Sequence, residues 1–556
     1  MSLEKTTYSQ NNTPPFLLIL IIAMGAVCRF YNLNWDDGYI YHPDEMNITA
    51  AVSRISIPSQ MDPGFFAYNG FPIYLYRAIA EMLSRITNNN SWIREWSKIT
   101  LIGRFISALA STLSIYLIYW IGKNLINEKA ALLAAFLTAV TVGLIQTAHY
   151  GVTESLLLFF LLVICIYAIR IIKEGETQAR NWFLMAIISG LAIGTKTSAA
   201  SFLVIPLVVW ILLFFKRKKS EMFLQGVLFF LITLITSILV SPYSLLNFPA
   251  FRTSMKYEGE VVWGILKVPY TLQFYKTIPY WFFYKNLHWH TGLIIPTLGT
   301  IGIFLWLFSI WKKRAGFGAL PILLFGIIYF GYVGSWYTKF IRYMIPMIPI
   351  LILSTCWMFN KLLDHKKTRL LGILLVTITL LTTTAWATSF ISIYSKASTR
   401  TAASQWIYKN IPKNSTVLIE HWDYALPVAL RHRNRSAFQY VIMQNFDPDT
   451  EEKVADISRN LKKGDYLILA SQRLSGTIGK THDIYPITSR YYKKLFDGNL
   501  GYTLLKTSSS YPQLCGLEIN DDAAEETFQV FDHPVVHIFK NSKRLSALTI
   551  MKVLKE

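Results

Sequence analysis

Apolar residues along this chain arrive in runs of about 15 to 23, the length that crosses ~30 Å of hydrocarbon as a helix at 1.5 Å per residue. About eleven such runs follow one another. They lie near residues 15–30, 99–121, 129–147, 153–172, 181–196, 199–215, 222–242, 289–311, 318–335, 341–360 and 369–394. The stretch 181–215 divides in more than one way, so the count is open by about one. Most connections are a few residues long, but two segments, 31–98 and 243–288, are much longer, and long loops among short ones carry function. The first contains Asp62-Pro63-Gly64 and an amphipathic stretch from Ile73 to Ile86 suited to lying along a membrane surface. The second is dense in aromatics, including Tyr270, Phe274, Tyr280 and Trp281, a belt that suits the headgroup region.

After residue 395 the pattern changes. Residues 396–556 mix polar and apolar positions, with strand-like stretches at Ser415 to Glu420, Tyr466 to Ala470, Tyr502 to Lys506 and Phe528 to Phe539. Helix-like segments at Ala402 to Asn410, Glu451 to Leu461 and Ser489 to Phe496 lie between them. The pattern predicts a polytopic α-helical membrane protein over residues 1–395, followed by a small α/β domain over 396–556. No internal repeat and no interrupted helix of the kind transporters use near the membrane midplane is read from the sequence.

Composition agrees. At 53% hydrophobic and 16% charged over 556 residues, the chain is too apolar for an ordinary soluble protein. The net charge of +21 would fit nucleic acid on a soluble face, but here the basic residues cluster in alternate short loops. Those loops carry Lys123 and Lys129; Lys173 and Arg180; Lys216 to Lys219; Lys312 to Arg314; and Lys366, Lys367 and Arg369. The positive-inside rule makes them cytoplasmic, so a cell-membrane protein is expected with its N-terminus inside and its C-terminal domain outside, and no nucleic-acid partner. The first run lacks a basic leader and a small-residue cleavage site, so it reads as a retained helix. Cys28, Cys165 and Cys356 fall in apolar runs and Cys515 stands alone, which supports neither a disulfide framework nor a cysteine zinc site.

The chemistry begins just past the first run, at Tyr41-His42-Pro43-Asp44-Glu45. One carboxylate of an adjacent pair can act as a base or metal ligand while the other orients it. Alternatively Asp44 caps a short helix and Glu45 favours its first turn. The company it keeps supports the functional reading, because ionisable residues at membrane-helix ends are costly and are functional candidates by default. Arg104 lies a turn inside the second run, His149 and Glu154 flank the turn after the third, Lys196 ends the fifth and Arg342 opens the tenth. With Tyr257, Glu258 and Glu260 of the second long segment, all face one leaflet by the loop charges. Arg104, Lys196 and Arg342 could each instead snorkel to headgroups, and His149 could be a packing residue. A glutamate one turn into an apolar helix, as Glu154 is, has no cheap structural role. Carboxylates together with cations matched to phosphate, at the depth of a lipid headgroup, point to group transfer from a lipid-linked phosphate donor.

These motifs resemble a known family. His42-Pro43-Asp44-Glu45, the stretch Gly103 to Leu109, His149 through Glu154, Gly190 to Lys196, and Arg342-Tyr343 with Pro346 and Pro349 are similar to the C-type membrane glycosyltransferases (GT-C). More narrowly they are similar to the family 39 group, which includes protein O-mannosyltransferases and bacterial lipid A aminoarabinose transferases. The resemblance covers roughly residues 15–395. It implies a sugar moved from a polyprenyl-phosphate donor to an acceptor protein, lipid or wall polymer, with inversion. It implies Asp44 as base or acceptor-orienting carboxylate with Glu45 in support, and Glu154 as the acid of the fourth helix, where many relatives have Asp. Arg104, Lys196 and Arg342 would hold the donor phosphate. A divalent metal occurs in some members, for which His42 or His149 could serve, but no spacing here defines a metal site.

In the C-terminal region, Trp406-Ile407 with Ile411-Pro412, Glu420-His421-Trp422-Asp423 with Pro427, and Val530 to Pro534 resemble the tails of uncharacterised members. Trp422 and Phe531 read as domain core, Asp532-His533-Pro534 as a turn between two strand-like runs, and Glu420 or Asp423 as candidates for acceptor recognition. Two other classes compete: a multi-pass lipid or solute transporter or flippase, and a non-catalytic membrane protein presenting its exterior domain.

Overall fold

The computed structural model describes residues 15–174, 179–215, 219–430 and 433–556. Each of the apolar runs is helical. Among the described residues, six helices are long and apolar enough to cross a membrane singly, and eight if each of two bent pairs is one span; Phe16–Phe30 and Phe317–Val333 are apolar but shorter. The bent pairs are a correction to the reading of uninterrupted helices. Glu128–Ala139 and Val142–Ala148 meet at 53°, and Trp281–Thr291 and Ile295–Trp311 at 115°.

The elements used below are α1 (Phe16–Phe30), α2 (Pro43–Arg54), α3 (Gly70–Thr87), α4 (Trp96–Leu125), α5 (Glu128–Ala139), α6 (Val142–Ala148), α7 (Glu154–Glu174), α8 (Ala179–Thr195), α9 (Lys219–Val240) and α10 (Phe248–Trp263). The first bend has a visible cause. Arg29 of α1 is fully buried, and its guanidinium donates to the carbonyls of Thr138 and Ala139 at 2.8 Å and to the Ser111 hydroxyl at 2.8 Å. Carbonyls freed where α5 stops are thereby satisfied inside an apolar bundle, as such breaks require. By contrast α9 turns Phe223, Phe230 and Leu239 outward, each more than half exposed. An apolar face with no protein over it is what lipid covers.

In the C-terminal domain, β1 (Thr416–Glu420), β2 (Gln439–Met443), β3 (Tyr466–Leu469), β4 (Tyr502–Ser508) and β5 (Val536–Asn541) form one sheet in the order β2-β1-β3-β5-β4. β1 runs parallel to β2 and β3, and β5 is antiparallel to β3 and β4. Helices Glu451–Lys463 and Pro486–Phe496 match the expected segments within a few residues. Two expectations need correction. β2 was not foreseen, and Phe528 to Phe539 is not one strand: Glu526–Gln529 is helical and β5 begins only at Val536.

The α/β domain is not hung on a linker. One cluster of buried side chains joins Trp35, Val142, Tyr150, Trp386 and Phe390 of the helical part to Ile407, Phe528 and Val536.

Candidate active site

The start of α2 is shaped by His42, Pro43 and Asp44. Pro43 occupies the first turn of α2, where its missing N–H costs nothing, and the His42 ring accepts the Asp44 backbone N–H at 3.1 Å. The cap is therefore His42, not Asp44, and the Asp44 side chain is left for other work. It points into a cavity of about 480 Å³ between the helices and the C-terminal domain, within the size range of small-molecule sites.

There Asp44 Oδ2 meets Arg342 Nη1 at 3.1 Å, and Glu154 Oε1 lies 3.4 Å from Lys196 Nζ and 3.9 Å from Arg342 Nε. Asp44, Lys196 and Arg342 each keep about a fifth of their side-chain surface open, whereas Glu154 keeps 6% and sits behind the two cations. Lys196 Nζ stands 4.9 Å over the Tyr68 ring and 5.7 Å over that of Tyr343. Burial is the largest influence and would raise the Asp44 carboxyl, but Arg342, His42, a hydrogen bond from Tyr68, and Lys196 together outweigh it, so it lies below the usual carboxylate range. Asp44 is thus ionised at neutral pH. Tyr257 and Glu258 of α10 line the same cavity, with the Tyr257 hydroxyl 3.2 Å from that of Tyr270. Burial holds the Glu258 carboxyl above its ordinary value against the pull of Lys196.

Three candidates lie elsewhere. Arg104 was expected on the donor phosphate, but all its N–H groups are taken: Nε and Nη2 by Glu45, Nη1 and Nη2 by Asp36, and Nη1 also by the Leu33 carbonyl, at 2.6–2.9 Å. Glu45 also accepts the Gly151 N–H at 2.6 Å and is 1% exposed. One position along a helix turns a side chain about 100°, which sends Glu45 away from the cavity that Asp44 enters. These two residues form a clamp tying α2 and α4 to the loop before Glu154, and a bare glycine at 103 lets that loop approach to 3.1 Å of where a Cβ would stand. His149 has both ring nitrogens on backbone carbonyls, of Ile145 and Tyr31, and stacks on Tyr394 at 3.9 Å, so it has no nitrogen left for a metal.

His42 packs between Phe531 and Tyr150, and burial lowers its pKa to about 4, keeping it neutral. Among the described residues no three His, Cys, Asp or Glu side chains come close enough to hold an ion. The positions that would neutralise Asp44 and Glu154 belong to Arg342 and Lys196. The donor set is one of carboxylate–cation pairs and does not fit a metal shell.

Sequence reasoning missed Asp36, Tyr68, Tyr343, and the wall supplied by the C-terminal domain: Trp422, Phe446, Arg473, Glu526 and Phe531. Trp422 is not core; it is 46% exposed on the cavity, while Phe531 is buried against His42. Glu420 is buried under Tyr492 and Asn445, and Asp423 is held by Ser471 at 2.6 Å and Arg400 at 3.6 Å. Neither reaches the cavity. Tyr343, Trp422 and Phe531 stand in motifs singled out in the sequence, and Tyr68 lies in the long first loop beside Asp62-Pro63-Gly64, which are signals that could have drawn attention to them.

Residues 96–244 match the family described as dolichyl-phosphate-mannose-protein mannosyltransferase. No curated protein sequence matches the chain. Among solved structures, the apo oligosaccharyltransferase of Archaeoglobus fulgidus is 12% identical with a TM-score of 0.54, over 94% of this chain and 88% of that one. The same organism's AglB, in complex with an inhibitory peptide and a dolichol-phosphate, is 13% identical with a TM-score of 0.54, over 85% of this chain and 72% of that one. ArnT from Cupriavidus metallidurans bound to undecaprenyl phosphate is 14% identical with a TM-score of 0.48, over 84% of this chain and 94% of that one. At such identity the oligosaccharyltransferase likeness concerns the fold: a polytopic helical membrane part with a C-terminal α/β domain. The resemblance read from the motifs therefore holds, with residues 96–244 similar to the protein mannosyltransferases and the chain as a whole sharing the fold of a membrane oligosaccharyltransferase.

Proposed function

We propose that this chain is a membrane glycosyltransferase that moves a sugar from a polyprenyl-phosphate-linked donor to an acceptor hydroxyl, with inversion. The observation that carries the reading is the Asp44–Arg342 contact on the wall of the 480 Å³ cavity, with Lys196 beside it. The donor's phosphate lies against Lys196 and Arg342. Glu154, behind both, keeps them in place. Asp44 takes the proton of the acceptor hydroxyl, the hydroxyl oxygen bonds to the anomeric carbon, and the bond from that carbon to the phosphate oxygen breaks. The electron pair leaves on the polyprenyl phosphate, where the two cations neutralise it. Without donor, Arg342 depresses Asp44 and makes it a weak base. A phosphate that draws Arg342 onto itself removes that depression, so the carboxylate becomes basic when the donor is bound.

The topology that goes with this reading has about eleven crossings, the N-terminus in the cytoplasm and the C-terminal domain with its cavity outside. Exterior compartments lack nucleotide sugars, which makes a lipid carrier the donor of choice. The two bent helix pairs favour a second reading, transport, because transporters build sites from broken helices. Arg29 already satisfies the carbonyls at the first break, and no residue between Thr138 and Val142 or between Thr291 and Ile295 lines the cavity. The transferase reading is therefore preferred.

Loss of a general base costs on the order of 10²- to 10⁴-fold. In membranes supplied with polyprenyl-phosphate sugar, Asp44→Asn is expected to lose transfer by that factor while still binding the donor. Full transfer by this variant would end the assignment, and solute uptake into vesicles without any transfer would favour transport.

A further inference from the structure

Open α/β sheets bind ligands in the crevice beyond the carboxyl ends of their parallel strands. In the C-terminal domain the three parallel strands end at the cavity. Trp422 lies just past the end of β1, Phe446 past β2 and Arg473 past β3, and all three are on its wall. The ligand-binding edge of this sheet therefore faces Asp44 across a shared space.

The side chains at that edge have a recognisable chemistry. Trp422 holds a left-handed backbone with φ of 72° and leaves nearly half its surface uncovered, so the indole is presented and not packed. Arg473 Nε donates to Glu526 Oε1 at 2.8 Å, and the Thr477 hydroxyl donates to Oε2 at 3.1 Å. That pair neutralises itself. This end of the cavity thus offers hydrogen-bond donors and acceptors on a mutually paired cation and carboxyl, whereas the Lys196 and Arg342 end serves an anion. A flat aromatic face beside a neutral guanidinium–carboxylate pair suits a ring with an apolar C–H face and hydroxyls around its rim. An extended peptide is read along a strand edge by main-chain pairing, but the edge strands β2 and β4 contribute no residue to the cavity wall as described.

We propose that the acceptor is a neutral sugar ring of a glycan, stacked on Trp422 with its hydroxyls held by Arg473 and Glu526, and with one further hydroxyl presented to Asp44. The bond formed is then glycosidic, sugar to sugar, and the proton and leaving group travel as described above. This deepens the transferase reading and rests on it.

Saturation-transfer NMR on the full chain in detergent, with mannobiose, cellobiose and a threonine-containing hexapeptide as probes, tests the subsite. Ring protons of at least one disaccharide are expected to receive saturation while the hexapeptide does not. Trp422→Ala should cut that signal at least fivefold, and Trp422→Phe should keep most of it. Saturation of the hexapeptide alone, of no probe, or of a disaccharide irrespective of Trp422 would overturn the proposal. If the subsite failed while Asp44→Asn was inactive in transfer, the transferase reading would stand. If Asp44→Asn transferred normally while disaccharide binding depended on Trp422, the transferase reading would fall and the binding site would remain.

Discussion

Arg104 and Arg342 look alike in the sequence, each a lone arginine near the end of an apolar run, and in the structure they do opposite jobs. Arg342 spends its charge on a partly open carboxylate, so an incoming phosphate can compete for it. Arg104 has every donor committed to buried acceptors. Removing one partner from a buried ion network costs ~3–5 kcal/mol. Arg104→Met is therefore expected to lower the melting temperature of the purified chain sharply, and adding Asp36→Asn with Glu45→Gln should recover much of it. In the fraction that folds, the donor KM should stay unchanged, in contrast to Lys196→Gln and Arg342→Gln, where it should rise roughly 10-fold or more. Sequence could bring both arginines to one leaflet, because loop charge sets depth. It could not separate them, because the number of free donors depends on Asp36 and the Leu33 carbonyl, which no motif marks. Asp44 was legible as an acid just after a proline, and Glu45 was misjudged because neighbours on a helix diverge.

Glu420 illustrates the same limit. It was a candidate for acceptor recognition, but burial pushes its carboxyl up to about 8 with Tyr492 and Asn445 donating to it. A carboxyl raised from about 4.3 costs the folded state increasingly as pH climbs from there toward 8. Glu420→Gln should therefore stabilise the chain at pH 8, on the order of a few kcal/mol at 1.36 kcal/mol per unit, and change little at pH 4. Thermal melting across that range checks it.

At the scale of elements, runs of apolar residues marked helical segments, six of which are long and apolar enough to cross a membrane singly among the described residues, but not where a helix breaks. Nothing in Thr138 to Val142 resembles a breaker such as proline, and the break depends on Arg29 from a helix more than a hundred residues earlier. Without it the Thr138 and Ala139 carbonyls are left buried and unpaired, at ~1–3 kcal/mol each. Arg29→Met is expected to destabilise the chain and to straighten the 53° bend, read as a lengthened distance between spin labels on α5 and α6. In the α/β domain, β1, β3 and β4 were visible as apolar runs. β2 escaped because an edge strand with Gln439 and Ile442 exposed has no strong alternation. Phe528 was taken for strand because a hydrophobic short helix and a strand are indistinguishable by periodicity over so few residues.

At the scale of the molecule, the joint between the two parts is polar at its centre. His533 lies between Asp521 at 2.7 Å and Asp532 at 2.5 Å, and Asp532 in turn accepts hydrogen bonds from Gln146, Tyr150 and Tyr394 of the helical part. Burial would lower the His533 ring, but the two aspartates raise it to about 10. A histidine raised from about 6.5 contributes stability that is whole below that pH and fades as pH climbs toward 10. The melting temperature should fall over this interval, and His533→Gln should lower it at pH 6 while flattening the decline. The sequence reading of Asp532-His533-Pro534 as a turn was right in place and silent on purpose, since its partners in the helical part lie on two segments far apart in the chain, at Gln146 and Tyr150 and at Tyr394.

The apolar cluster around that joint has a practical consequence for anyone dissecting the chain. Ile407, Phe528, Phe531 and Val536 share one buried cluster with Trp35, Val142, Tyr150 and Phe390 of the helical part. A fragment of residues 396–556 made by itself would carry that greasy face into water and should aggregate, though its composition reads as soluble. The helical part truncated at residue 395 would lose one wall of its cavity. Complementation by co-expressed halves, and not by either half alone, is the behaviour such a joint predicts.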